Sequence, residues 1–130
     1  MISVVCVYNN PEILNDYLLK SLKDQIAEKE LIKIDNTEGK FSSAAEALNY
    51  AGKKAKGEYI MFVHQDVDLS SNSWLEDAEE ILNTIPDLGI AGVAGVSEEG
   101  RTHKDKKRNS YKRNLKFSLI HKNTGFRYGE

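Results

Sequence analysis

The sequence is short of several things, and each shortage removes a class of answer. Cys6 is the only cysteine, so no disulfide can form within the chain, and its place among valines predicts a small buried hydrophobe, not a nucleophile. The longest apolar runs, such as Ile60 to Val63 and Ile90 to Val96, fall far below the ~20 residues that a membrane-spanning helix needs. No basic segment precedes the first apolar run, Ile2 to Val7, which argues against a signal peptide and for a cytoplasmic protein. There is no G-x-x-x-x-G-K-[ST], hence no P-loop. The glycine-rich run from Gly89 to Gly95 has the wrong spacing for a dinucleotide fingerprint, and it follows a helical pattern where that fingerprint follows a strand. No Cys/His set has zinc-ligand spacing. Neither internal repeats nor low-complexity segments occur.

What is present fits one ordinary globular domain of 130 residues, 40% hydrophobic and 29% charged. The net charge of −2 conceals a strong asymmetry. Residues 1–99 hold 8 Lys and Arg against 18 Asp and Glu; residues 100–130 hold 10 against 2. That shift marks a boundary near Gly100, with an α/β core over 1–99 and a basic segment over 100–130. The segment reads first as a solvated tail and second as a contact for phosphate, nucleic acid or an anionic membrane. His103 and His121 lie in it without acidic partners and read as surface residues.

Four strand-like runs alternate with three helical patterns, the signature of a mostly parallel sheet flanked by helices. Ile2 to Tyr8 is nearly continuous in hydrophobicity, as a strand buried on both faces should be. Asn10 and Pro11 read as a helix cap and first turn, with Ile13, Leu14, Tyr17, Leu18, Leu22 and Ile26 on the inward face. Glu30 to Ile34 predicts a second strand. Ser43 with Glu46 predicts a capping box that opens a helix to about Lys56, with Ala44, Ala47, Leu48, Ala51 and Ala55 on its packing face. Tyr59 to Val63 predicts the third strand. Ser73 with Glu76 predicts another capping box and a helix ending before Pro86, its Trp74, Leu75, Ala78, Ile81, Leu82 and Ile85 turned inward. Gly89 to Val96 predicts a fourth strand whose glycines suggest close packing or backbone contact with a ligand. Leu115 to Ile120 suggests a fifth.

In an open parallel sheet, ligands bind beyond the carboxyl ends of the strands. Those ends read Tyr8-Asn9-Asn10, Asp35-Asn36-Thr37 and His64-Gln65-Asp66. Each is a polar cluster following an apolar run without a gap, although caps and turns explain part of that. Asp35 suits hydrogen bonds from a base or ribose. Asp66 and His64 fall on one side of an extended chain, where they suit a divalent cation shared with phosphate oxygens and water. The plain alternatives are a turn role for Asp66 and a backbone hydrogen bond for His64. Asp68 reads as a loop residue.

At these residues the sequence resembles the family 2 glycosyltransferases, which have the GT-A fold. The resemblance rests on Val4-Val5-Cys6-Val7-Tyr8-Asn9, on Ile32-Lys33-Ile34-Asp35-Asn36-Thr37, on Ala47-Leu48-Asn49-Tyr50-Ala51, and on Lys56-Gly57-Glu58-Tyr59-Ile60-Met61-Phe62-Val63-His64-Gln65-Asp66. It covers about residues 2–96, with the motifs in family order. It implies a truncated or minimal GT-A fold that binds a nucleoside-diphosphate sugar. Tyr8 and Asn9 would line the donor pocket and Asp35 would contact the base. Asn36, Asn49 and His64 would complete the donor site, and Asp66 would bind Mg²⁺ or Mn²⁺ beneath the diphosphate. The activity implied is transfer of the sugar to an acceptor hydroxyl.

Two positions depart from the family pattern. His64 stands where the D-x-D signature has its first Asp, and Val67 where a further acidic residue is usual. The His-Gln-Asp version is similar to a divergent branch that includes streptomycin-biosynthesis-type transferases. No segment resembles the family's acceptor half or its general base, and Asp105 and Glu130 are the only acids after Gly100. A non-catalytic nucleotide-sugar-binding module or an inactive remnant of the same fold is therefore the alternative to a transferase, and residues 100–130 would be an added strand or part of an incomplete acceptor region. A phosphoacceptor receiver domain ranks lower, because Asn9-Asn10 stands where acids are required. A nucleic-acid partner is opposed by the acidic first 99 residues. An exposed sheet edge would suit a homodimer.

Overall fold

The structure is a computed structural model that describes residues 1–97, 115–121 and 127–128. The chain divides into two compact units, Met1–Glu80 and Ile81–Glu130. The first holds a three-stranded parallel sheet in the order β2-β1-β3, made of β1 (Ile2–Tyr8), β2 (Lys29–Asp35) and β3 (Tyr59–Val63). The parallel α/β class expected from alternating strands and helices is therefore present. It differs from expectation at the fourth strand. β4 (Ala91–Ser97) pairs antiparallel with β5 (Leu115–His121), and β5 pairs with β6 (Arg127–Tyr128), in a separate sheet of the second unit. Periodicity reports that a run is a strand but not which neighbour it takes, and the fifth run supplied the neighbour. Among the described residues nothing stands within 4 Å of a Cβ placed at Gly89 or Gly92, so close packing is not what these two positions show. His103, Asp105 and Glu130 lie outside the described residues.

β1 is the centre of the first unit. Its residues Ile2 to Cys6 are all buried, with Val4, Val5 and Cys6 fully so. One face, carrying Ile2, Val4 and Cys6, packs on Leu14, Leu18, Leu22, Leu69 and Leu75. Burying each such leucine contributes about 1.5–3 kcal/mol. On the other face α3 (Ala44–Gly52) approaches through Ala47 and Ala51, both without exposed surface. α3 ends four residues before the expected Lys56, and Ala44 is exposed.

The first helical stretch runs through α1 (Pro11–Leu14), a π-helical turn (Asn15–Leu19) and α2 (Lys20–Lys23). Its buried residues Leu14, Leu18 and Leu22 are spaced by four. A regular helix would rotate each successive one by about 40° away from the core, and the wider π turn absorbs that drift. Tyr17 is 47% exposed and Ile26 67% exposed, which corrects their expected inward position: the π turn shifts the phase at Tyr17, and the helix stops before Ile26. α4 (Trp74–Asn83) buries Leu75 as expected. Its start is held differently from the expected Ser73–Glu76 box. Ser73 Oγ donates to Asp77 Oδ2 at 3.0 Å, and the Leu75 N–H donates to Oε1 of the distant, buried Gln25 at 2.9 Å. The α3 box forms on one side, with Glu46 N–H donating to Ser43 Oγ, while the Glu46 carboxylate turns to Ser42. No helix among the described residues is long and apolar enough to cross a membrane.

The approach to β3 is pinned by a buried hydroxyl. Ser3 Oγ donates to Glu30 Oε2 at 2.6 Å and accepts from Gly57 N–H at 2.8 Å, while Lys56 N–H donates to the same Glu30 oxygen at 2.8 Å. Leaving that hydroxyl unpaired would cost about 1–3 kcal/mol. Gly57 lies so close to β1 that a Cβ would stand 2.7 Å from Met1 O, Ser3 N and Ser3 Oγ. Two of those atoms are backbone and cannot swing aside. Gly57→Ala should therefore destabilise the chain by about 1–3 kcal/mol, read as a lowered midpoint in chemical denaturation; an unchanged midpoint would refute the contact.

Burial pushes the Cys6 thiol up to about 11, with the Asp66 charge adding to the effect. The nucleophile is the thiolate, so Cys6 should react with a thiol reagent at pH 8 on the order of 100-fold more slowly in the native chain than after denaturation. Equal rates would place the thiol at the surface.

Candidate functional site

Because β1 pairs in parallel with both neighbours, the carboxyl ends of all three strands of the first unit lie on one edge of the sheet. Tyr8 is opposite Asp35 in the β1–β2 register, and Cys6 is opposite Val63 in the β1–β3 register. The structure thus brings together Tyr8, Asn9, Asp35, Asn36, His64 and Asp66 at the strand ends.

Between β1 and β2 the contacts are direct. The Asn36 N–H continues the ladder to Tyr8 O at 2.9 Å. Asp35 Oδ1 accepts from the Thr37 N–H at 2.9 Å, an Asx turn that starts the loop. The Asp35 carboxyl is held below the ordinary carboxylate range, first by the Thr37 backbone and hydroxyl and then by the Tyr8 hydroxyl. The Tyr8 phenol is raised by partial desolvation and by the neighbouring Asp35 charge. Asn36 serves the loop with both ends of its amide: Oδ1 accepts from Phe41 N–H at 2.8 Å and Nδ2 donates to Phe41 O at 3.3 Å. Gly39, at φ 67°, closes the intervening turn back onto Asn36 O. Asn36 is thus a loop clamp whose amide is already engaged.

Between β1 and β3 the link is a side chain that strand-end reasoning left without a role. Gln65 Oε1 accepts from the N–H groups of Asn9 and Asn10 at 3.1 and 3.0 Å, and its Nε2 donates to Asn9 Oδ1 at 2.8 Å. The available signal was its place between two candidate ligands, where side chains alternate. Asn10 performs the expected cap, its Oδ1 accepting from Glu12 and Ile13 N–H at 3.1 Å each.

His64 and Asp66 are both exposed. β3 ends at Val63, and the chain turns at once, with Val67 N–H reaching His64 O. The two side chains are therefore not held on one side by strand alternation, as an extended chain would have held them. Among the described residues no group of three or more His, Cys, Asp or Glu side chains is placed to hold a metal ion. Asp66 offers one anionic donor, which fits a Mg²⁺ completed by phosphate oxygens and water and not an all-protein cage. Asn49 lies elsewhere. It lines a shallow cleft of about 330 Å³ with Gly52, Lys53, Ile60 and Phe62, beside the outer face of β3. A larger cavity of about 560 Å³, bordered by Lys20, Asp24, Asp68 and the 70–72 turn, touches none of the strand-end residues named above.

Residues 3–115 match the sequence profile of a glycosyltransferase-like family. The chain belongs to the glycosyltransferase-like family. The match spans all three parallel strands and their polar ends, and it agrees with the family 2 resemblance carried by the strand-end motifs. No curated protein and no solved structure gives a match. In this glycosyltransferase-like chain the strand-end edge gathers a phenol beside a carboxylate, an exposed Asn amide, an imidazole and an exposed carboxylate.

The Asp35 hydrogen bonds predict a titration. Its folded pKa lies below its unfolded one, so its stabilising contribution is present above the unfolded pKa and is lost as pH falls through the folded value. Carbon-detected NMR of the side-chain carboxyl should show Asp35 titrating below an ordinary aspartate. Thr37→Val should move it upward; no movement would show that the hydroxyl makes no contribution.

Proposed function

We propose that this chain binds a nucleoside-diphosphate sugar along the strand-end edge of its parallel sheet and transfers the sugar to an acceptor hydroxyl. The observation that carries the reading is the convergence of Tyr8–Asp35, Asn9 and Asp66 on one edge by the in-register pairing of β1 with β2 and β3. Family membership supports the same reading. In it, the Tyr8–Asp35 pair offers hydrogen-bonding groups for the base or ribose. Asn9 and His64 face the donor, and Asp66 holds a divalent cation, Mg²⁺ or Mn²⁺. When bound, that cation neutralises the charge that builds on the departing diphosphate. The acceptor oxygen forms its bond to the anomeric carbon as the bond to the diphosphate breaks, and a general base takes the hydroxyl proton.

One observation favours a second reading, a module of the same fold that binds the donor without turning it over. The strand-end carboxylates are Asp35, already hydrogen-bonded to the Thr37 N–H with the Tyr8 phenol in the opposite register position, and Asp66, assigned to the cation. Among the described strand-end residues no third carboxylate is left to act as the base.

Titration calorimetry with nucleoside diphosphates and their sugar conjugates, with and without Mg²⁺ or Mn²⁺, tests both readings. The transferase reading predicts metal-dependent binding that Asp66→Ala weakens by about tenfold or more, together with release of the nucleoside diphosphate from the sugar conjugate. Binding without release selects the module. Absence of binding by the unaltered chain rejects both.

A further inference from the structure

The Gln65 clasp has a definite sense. Backbone N–H groups can only donate, and two of them, from Asn9 and Asn10, converge on one end of the Gln65 amide at 3.1 and 3.0 Å. That end must be the oxygen. The other end is then the NH₂, which can only donate, and it meets the Asn9 side chain at 2.8 Å. Asn9 must therefore turn its Oδ1 inward to Gln65 and its Nδ2 away. Asn9 is exposed, and its Nδ2 has no hydrogen-bond partner among the described residues. The backbone of one loop thus determines, through two amides in series, that the β1 end presents a hydrogen-bond donor.

We propose that Gln65 is a positioning residue that holds Asn9 Nδ2 outward to donate to an acceptor oxygen of a bound nucleoside diphosphate. This rests on the donor-site reading above and deepens it: Gln65 touches no ligand but decides whether Asn9 offers a donor or an acceptor. The placement has a physical reason. A diphosphate presents only acceptor oxygens at neutral pH, so an Asn free to rotate would spend part of its time presenting the wrong group. A fixed donor avoids that ordering cost on binding.

Gln65→Glu separates the sense of the amide from the presence of the clasp. One carboxylate oxygen still accepts from the two backbone N–H groups. The other now faces Asn9, whose amide must rotate to bring Nδ2 inward and Oδ1 outward. In the free 130-residue chain, ¹⁵N NMR of the side-chain amides should show the Asn9 NH₂ exchanging freely in the parent and slowed about tenfold in Gln65→Glu. A parent Asn9 NH₂ that is already protected, or one unaffected by the substitution, overturns the assignment.

The binding arm uses a double-mutant cycle with the tightest-binding nucleoside diphosphate plus Mg²⁺, so that the charge added by the Gln65→Glu substitution cancels. Asn9→Ala should weaken binding about five- to tenfold in the parent and less than about twofold in the Gln65→Glu background. An equal loss in both backgrounds overturns the role in binding. If Gln65→Glu does not fold, Gln65→Met removes both polar ends at similar volume and frees Asn9. It should reduce the cost of Asn9→Ala, and an undiminished cost overturns the proposal. If the parent binds no nucleoside diphosphate, the donor-site reading fails and the binding role falls with it, while the amide exchange pattern still decides the Asn9 orientation.

Discussion

Everything at the candidate site depends on β1 being buried on both faces and paired in register with a parallel strand on each side. A central strand in that position has no freedom to slip. A shift of one residue would exchange Val4 and Cys6 for Ser3 and Val5 against the leucines of the core. Ser3 makes the constraint tighter still, because its hydroxyl is satisfied only where Glu30 and Gly57 meet it. The packing that stabilises the sheet therefore also aligns the three polar ends, without any interaction among those ends being required.

The ends are then joined by polar contacts of two kinds. Towards β2, the ladder runs to its last pair, Tyr8 and Asp35, and one main-chain hydrogen bond from Asn36 continues it. Towards β3, the ladder stops at Val63, and a single glutamine reaches across from the turn to the β1 loop. The contrast matters for chemistry. The β2 side is committed to its own loop, with Asp35 accepting from Thr37 and with Asn36 and Phe41 holding each other. The β3 side keeps its two candidate ligand groups, His64 and Asp66, exposed while the residue between them does the structural work. A binding edge needs both: a stiff wall and free groups facing it.

Local departures from regularity follow from the same core. The π turn in the first helical stretch lets three leucines spaced by four all face the sheet, and it leaves Tyr17 outside. α4 begins against a distant glutamine because Gln25 is buried and its amide must be satisfied on both ends; it finds Ser71 O and the Leu75 N–H. In each case the requirement to pack or pair a buried group overrode the local signal in the sequence.

Strand positions, the parallel class, the Asn10 cap, the Ser43 cap and the polar strand ends were legible from the sequence alone. They depend on short-range properties: runs of β-branched residues, residue types that favour caps, and abrupt changes from apolar to polar. The partner of β4, the phase of the first helical stretch, the separation of Asn49 from the strand ends and the clasp at Gln65 were not legible. Each depends on contacts between residues far apart in the chain, fifty-six positions in the case of Gln65 and Asn9. The sequence by itself determined that polar groups follow three buried strands. Only the tertiary structure decided which of those groups hold the loops and which stay exposed, because hydrogen-bond partners are chosen by proximity after the core has packed.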